Sequence, residues 1–370
     1  MTLRNASIDT VGGIMICFMI FRHCFLGTGL DATFVGGKLT YYPLIFYMSW
    51  FFFKGGMFFD HSGKTSVSET IRKGIARLIV PFLAFSAVAI IIECMVHGLL
   101  EGLSGVKSTL YDIPSYLKRE GCVAGNAPLW FLFSLFFVRV FYAFAIHLHI
   151  PRLLVSVISL ISAYALFKAD LPIGLYFENI AIGLFFFSTG NILRDIQYTD
   201  PAFILSGILY TAYLLFAFCI HDITCEFRIN AFVPYIPTIV FSLAGCIAIN
   251  NLFNRIKSLN FSRLSKIGKS SMNYFTTHFI LIGTFGYLNR QLFHLNSLLF
   301  FILTIILLLL LLPPINRMLS QDGFGWLNGK GLDHGGTIAV SERTATIGIL
   351  VIIAAMAGYV ISVAVKSSAL

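Results

Sequence analysis

Asp9-Thr-Val-Gly-Gly-Ile-Met-Ile-Cys-Phe-Met-Ile-Phe-Arg-His23 lies inside an apolar run, residues 8–27, with one acid near its start and Arg22 and His23 near its end. About 20 mainly apolar residues is the length of a membrane-spanning helix. The run continues for a full span and carries cations late, so it reads as a retained span and not as a cleavable signal peptide. Ten further runs follow, at 42–59, 77–97, 128–147, 153–167, 173–193, 202–220, 232–251, 272–292, 298–317 and 346–365. The expected fold is all-α, a polytopic membrane helix bundle with ten or eleven transmembrane helices.

Composition excludes the soluble alternative. Of 370 residues 57% are hydrophobic and 12% charged, against ~25% charged in an ordinary globular domain. Mean hydropathy is +0.84. Such a chain cannot cover its surface with polar groups, so the lipid bilayer is its first partner. The formal charge of +9 is then read as positive-inside bias and not as nucleic-acid binding. Of the 26 cations, 15 fall in one set of alternate connections, among them Arg4, Lys64, Arg72, Lys73, Arg77 and Lys330; 8 fall in the other. The larger set marks the cytoplasm, which places the N-terminus inside. The longest external connection is 98–127. Seven cysteines show no CxxC pairing, so neither a metal site nor a disulfide framework is expected; Cys122 and Cys225, both in external loops, are the one pair to check. No repeat or low-complexity tract divides the chain.

Ionisable groups within spans are costly and default to function, which selects Arg22, His23, Lys54, Glu93, Arg139, Glu178 and His278. Glu93 and His97, four apart, are read as an ordinary helix-face pair. On the first span Gly12 and His23 are eleven apart, three turns with ~20° of drift, so they share a face. Asp9, fourteen before His23, returns to a similar face near the inner mouth. His23 can take and return a proton near neutral pH, which suits activation of a hydroxyl; a histidine hydrogen-bonded for helix packing is the competing reading. His23 and Asp9 are the catalytic candidates.

The Asp9–His23 stretch resembles the opening of the bacterial integral-membrane acyltransferase 3 family, especially its fucose 4-O-acetylase-like branch. Four later stretches continue the resemblance in order: LIFYMSWFFFKGGMFF at 44–59, RKGIARLIVPFL at 72–83, PLWFL at 128–132 and GKSSMNYFTTH at 268–278. Two departures stand out. The family's basic residue eleven before the histidine is Gly12 here, and the histidine of its second span is Tyr47. Arg22 or Lys54 is expected to supply the missing charge.

The resemblance implies an O-acyltransferase that moves an acyl group, usually acetyl from acetyl-CoA, to a hydroxyl of a surface or exported glycan. It implies no metal, a glycan or lipid-linked sugar acceptor, glycan-biosynthesis proteins as possible partners, and the inner (cytoplasmic) membrane as location. Arg72, Lys73 and Arg77 would face the CoA phosphates at the cytoplasmic mouth. Lys54 and Arg22 would stabilise the thioester oxygen or guide the pantetheine arm. His23 would act as base or carry the acyl group. Trp130 would stack on a sugar or anchor the helix at the interface, and Tyr274 with His278, one turn apart, would form a second polar pair contacting substrate or packing helices.

The rival from another class is a transporter or flippase of lipid-linked glycan, which would also bury charges; no internal repeat supports it. The unrelated membrane-bound O-acyltransferase family would use His278, but the Asp9-to-His23 opening argues against it. No histidine has an aspartate five residues on, so the HxxxxD motif is absent. The glycine-rich 323–336 follows no strand and opens no helix, and reads as a loop. Residues 1–318 form the expected acyltransferase domain of ten spans, and 319–370 a loop with an accessory eleventh span.

Overall fold

The computed structural model describes residues 6–31, 33, 35–60, 66–171, 177–219, 222–259, 261–321, 323–329, 332 and 341–368. Arg4, Lys64 and Lys330 of the charge count, and residues 330, 331 and 333–336 of the glycine-rich stretch, lie outside them. The chain is a helical bundle: α1 (Ala6–Thr28), α2 (Tyr47–Met57), α3 (Val67–Gly74), α4 (Val80–Glu101), α5 (Leu103–Glu120), α6 (Trp130–His147), α7 (Arg152–Ala169), α8 (Phe177–Leu193) and α9 (Asp200–Cys219) come first. A small antiparallel hairpin, β1 (Thr224–Glu226) with β2 (Ala231–Val233), precedes α10 (Tyr235–Arg255), α11 (Ser262–Lys269), α12 (Ser271–Leu288), α13 (Ser297–Ser320) and α14 (Glu342–Ser368). Eight stretches among the described residues are long and apolar enough to cross a membrane.

The second run departs from the full-length span expected at 42–59. It opens as a 3-10 turn, Tyr42–Leu44, around Pro43, and continues as an α2 of only 11 residues. At ~1.5 Å per residue such a helix covers about half of a bilayer core. It is tolerated because protein surrounds it: Trp50, Phe52 and Phe53 are fully buried. Its carbonyls are satisfied from a neighbouring helix. The Asn191 amide donates to the Gly56 and Phe59 carbonyls at 3.0 Å each, and its own oxygen accepts from Tyr142 at 2.8 Å. Backbone groups within lipid depth require such internal partners.

Helices meet where side chains are smallest. A Cβ at Gly56 would lie 1.8 Å from the Phe187 carbonyl oxygen, and one at Gly190 would lie 2.1 Å from that of Phe53, so α2 and α8 touch backbone to backbone. The contact of α1 with α11 is similar: a Cβ at Gly268 would lie 1.8 Å from the Asp9 oxygen. Lipid supplies no hydrophobic drive between helices, so close backbone approach and buried amides hold the bundle instead. Asn250 shows the second device, accepting from the Trp50 indole at 2.8 Å and donating to Gln197 at 3.0 Å.

The connection 98–127 carries a helix of its own. Gly102 and Gly121, both at positive φ, bracket α5, whose Leu103, Leu110 and Tyr111 remain exposed. Left-handed glycines delimit the helix without a side-chain clash. The hairpin was unforeseen. Asn230 turns it in the left-handed region at φ 52°, donates to the Ala163 carbonyl at 2.7 Å and accepts from Tyr235 at 2.8 Å. Phe227 at its tip stacks on Phe52 at 4.8 Å, so the hairpin is wedged into one end of the bundle.

The other end carries α3, α11 and the N-terminal end of α1. Ser66 caps α3 by accepting from the Glu69 backbone N–H at 3.0 Å. α14 lays Ala345 and Ile349 against Val67 of α3 and Val140 and Phe144 of α6. All seven cysteines, Cys122 and Cys225 included, are free thiols.

Candidate active site

At the hairpin end a cavity of about 400 Å³ is lined by Met19 and His23 of α1, Tyr47 and Met48, Ala127 and Pro128, Trp130, the Cys225–Arg228 segment, and the α12 positions from Phe275 to Gly286. Its wall is assembled from distant segments by buried amides. Asn126 donates to the Thr276 carbonyl at 2.9 Å and Asn179 to the Arg228 carbonyl at 3.0 Å.

His23 does not stand alone. Its Nδ1 lies 2.8 Å from Nε2 of the fully buried His278, with the two rings 9° from parallel. Nδ1 of His278 lies 3.0 Å from the Tyr274 carbonyl and 2.9 Å from that of Phe275. A carbonyl only accepts, so Nδ1 of His278 carries the hydrogen, and the neutral ring leaves Nε2 as an acceptor. His23 must then donate from Nδ1, which leaves its own Nε2 with the lone pair. The relay thus selects one tautomer, and its outcome is a basic nitrogen on the residue that lines the cavity. A proton taken there would be shared toward His278 through the existing hydrogen bond, which suits withdrawal of a proton from a hydroxyl.

Charges flank this pair. Arg22 stacks its guanidinium over Tyr41 at 4.6 Å, and Tyr41 donates to the Cys225 carbonyl at 2.6 Å. Glu226 lies 3.8 Å from Arg228, which also reaches Glu120 at 3.4 Å. Burial lifts the Glu226 carboxyl above the usual carboxylate range, with Arg228 and Arg22 pulling it partly back. Burial likewise pushes the Cys225 thiol up to about 12, so the one cysteine in the cavity wall is a protonated thiol and not a ready nucleophile.

The other sequence candidates are distributed along the bundle. Trp130 lines the same cavity, 7% exposed. Tyr274 joins His278 only through its carbonyl; its side chain lines an apolar groove with Cys17, Ile20 and Leu308. Asp9 is buried at the opposite end of α1, fourteen residues or ~21 Å from His23 along the helix, where its carbonyl meets Gly268. Lys54 lies between these levels. A Cβ at Gly12 would be 3.2 Å from Lys54 Nζ, which also sits 5.1 Å from the Trp50 ring. Gly12 therefore leaves open the space that the ammonium group occupies, ~16 Å along α1 from His23.

Arg72, Lys73 and Arg77 lie at the α3 end, with Lys73 paired to Glu69 at 2.5 Å. Arg139 on α6 keeps a buried Nε without a partner, and its charged neighbour is Arg77. The expected Glu93–His97 pair does not form. Glu93 accepts the Gly125 N–H, while His97 bonds to Thr109 at 2.9 Å and stacks on Tyr287 at 4.1 Å. Sequence reading missed Glu226, Arg228 and Arg290 as cavity residues, since nothing local marks a three-residue strand or a helix-end arginine as part of a site. Among the described residues no three His, Cys, Asp or Glu side chains gather as metal ligands.

No curated protein and no solved structure matches the chain. A family model described as an acyltransferase domain matches residues 5–315. That match spans both ends of the bundle and both histidines of the relay, and it shows the chain to be a membrane protein of the acyltransferase 3 family.

Proposed function

We propose that this acyltransferase moves acetyl from acetyl-CoA to a hydroxyl of a surface or exported glycan, as in the fucose 4-O-acetylase-like branch, with Nε2 of His23 as the base. The observation that carries the reading is the His23–His278 relay at one end of the bundle, opposite a basic end. Residues 1–318 would hold the activity and 319–370 would be accessory. The protein would sit in the inner membrane with its N-terminus and basic end in the cytoplasm, following the charge bias. Arg72, Lys73 and Arg77 would meet the CoA phosphates there, for which arginine's forked donors are suited. The acyl arm would pass Lys54 toward His23, and the glycan would enter from the hairpin end, where Trp130 offers an aromatic face. Glycan-biosynthesis proteins would supply the acceptor.

Radiolabelled acetyl-CoA offered to sealed vesicles of either orientation tests the division of ends: label should reach glycan only when the donor meets the basic end. Equal transfer from both sides would overturn it.

Two variants probe individual roles. His278→Leu removes the acceptor for His23 Nδ1–H and should lower kcat about 10- to 100-fold. His278→Gln, which restores an acceptor, should recover part of the loss; equal loss in both at matched expression would make His278 a packing residue only. Lys54→Ala should raise KM for acetyl-CoA about tenfold or more. Adding Gly12→Lys should return much of it, because both side chains serve the same space. An unchanged KM in Lys54→Ala would remove the lysine from the donor path.

A further inference from the structure

A second cavity of about 400 Å³ adjoins the first, walled by α4, α5, the turn before α6, and α12. Gly283 and Arg290 line both cavities. The two chambers are therefore neighbours across one helix face, and each lies within the ~300–1,000 Å³ of small-molecule sites. The second chamber is built differently from the apolar grooves of the lipid-facing surface. It is lined by the acidic residues Glu93 and Asp112, by the stacked rings of His97 and Tyr287, and by Thr109, whose hydroxyl is bonded to His97 and to the Gly105 carbonyl.

We infer that this second chamber is an acceptor subsite, holding the neighbouring sugar residue of a neutral oligosaccharide whose reactive hydroxyl lies at His23. The inference rests on the acyl-to-glycan reading above and names its acceptor class. A sugar ring offers closely spaced hydroxyls, each donor and acceptor, with apolar C–H faces between them. The chamber matches this: an ionised carboxylate has about four acceptor positions, and Glu93 commits one to the Gly125 N–H. Two carboxylates against the single guanidinium of Arg290 disfavour uronates and sugar phosphates. Arg290, at the boundary, can bridge hydroxyls of adjacent residues.

The boundary itself is open because position 283 has no side chain. A Cβ added at Gly283 meets nothing within 4 Å, so a larger residue would enter the junction without moving backbone. This gives a variant that obstructs the chamber while sparing the fold. Glu93→Gln gives a second, removing the charge at nearly constant shape.

The test measures transfer and binding with neutral tetrasaccharides of glucose, mannose and N-acetylglucosamine, each against its monosaccharide, in the full-length protein. Wild type should prefer a tetrasaccharide. The ratio of kcat/KM for tetrasaccharide over monosaccharide should fall about tenfold or more in Glu93→Gln, as expected for a lost hydrogen bond to a charged group. Gly283→Leu should lower it at least as far, whereas Gly283→Ala should leave most of the preference. Unchanged ratios in Glu93→Gln and Gly283→Leu would overturn the subsite, as would a wild type that neither transfers to nor binds a tetrasaccharide better than its monosaccharide. If wild type transfers no acetyl yet binds a tetrasaccharide preferentially, and both variants lose that bias, the subsite stands and the acyltransfer to glycan falls.

Discussion

His23→Ala should abolish acyl transfer, with a fall in kcat of about 10²- to 10⁴-fold, the range that a positioned general base contributes. The relay explains why no neighbour can substitute. His278 is fully buried, and its Nε2 faces His23 at 2.8 Å. Without the His23 ring the remaining basic nitrogen is one ring further from the cavity. Cys225 is held as a thiol by burial, and Glu226 is engaged with Arg228. Acetyl-CoA binding should survive, because Arg72, Lys73 and Arg77 sit at the other end of the bundle. The check is label transfer at matched expression beside donor binding by the same membranes. Transfer within threefold of wild type would dismiss His23 as base and carrier alike. Label retained on wild-type protein without acceptor, and lost in His23→Ala, would favour an acyl-imidazole intermediate over direct attack.

Gly56→Ala should have the largest effect on the fold. The added methyl would lie 1.8 Å from the Phe187 carbonyl oxygen, which is backbone and cannot rotate away. α2 and α8 would have to separate, which breaks the Asn191 bonds to the Gly56 and Phe59 carbonyls and unpacks Phe53 and Phe187. Overpacking alone costs ~1–3 kcal/mol, and orphaned carbonyls at lipid depth add to it. The expected result is loss of monodisperse protein in detergent, or a melting midpoint lower by many degrees. Gly207→Ala on α9 is the control, because its Cβ would meet nothing within 4 Å; it should melt like wild type. A Gly56→Ala protein that does so too would mean that α2 and α8 adjust more readily than their contact implies.

What could be read in advance follows from how far apart the deciding residues lie. Apolar runs of span length and a 12% charged fraction are local or summed properties, so the helical membrane bundle was legible without coordinates. So were His23, Lys54 and His278 as suspects, since an ionisable group in lipid carries its own warning. The ordered stretches from Asp9 to His278 likewise brought the family into view. Tertiary structure decided the rest. His23 and His278 are 255 positions apart, and no spacing rule pairs them; only the packing of α1 against α12 does. Lys54 fills the gap at Gly12 because α2 returns alongside α1, whereas Asp9, on a similar helical face to His23, lies ~21 Å from it by helix rise alone. The hairpin and the shared boundary at Gly283 and Arg290 left no periodic signal, because short elements are specified by long-range contacts such as Asn230 to Ala163 and Phe227 to Phe52. The amino-acid sequence by itself determined that the chain lives in lipid and which polar groups it carries there; the fold determined which of them meet.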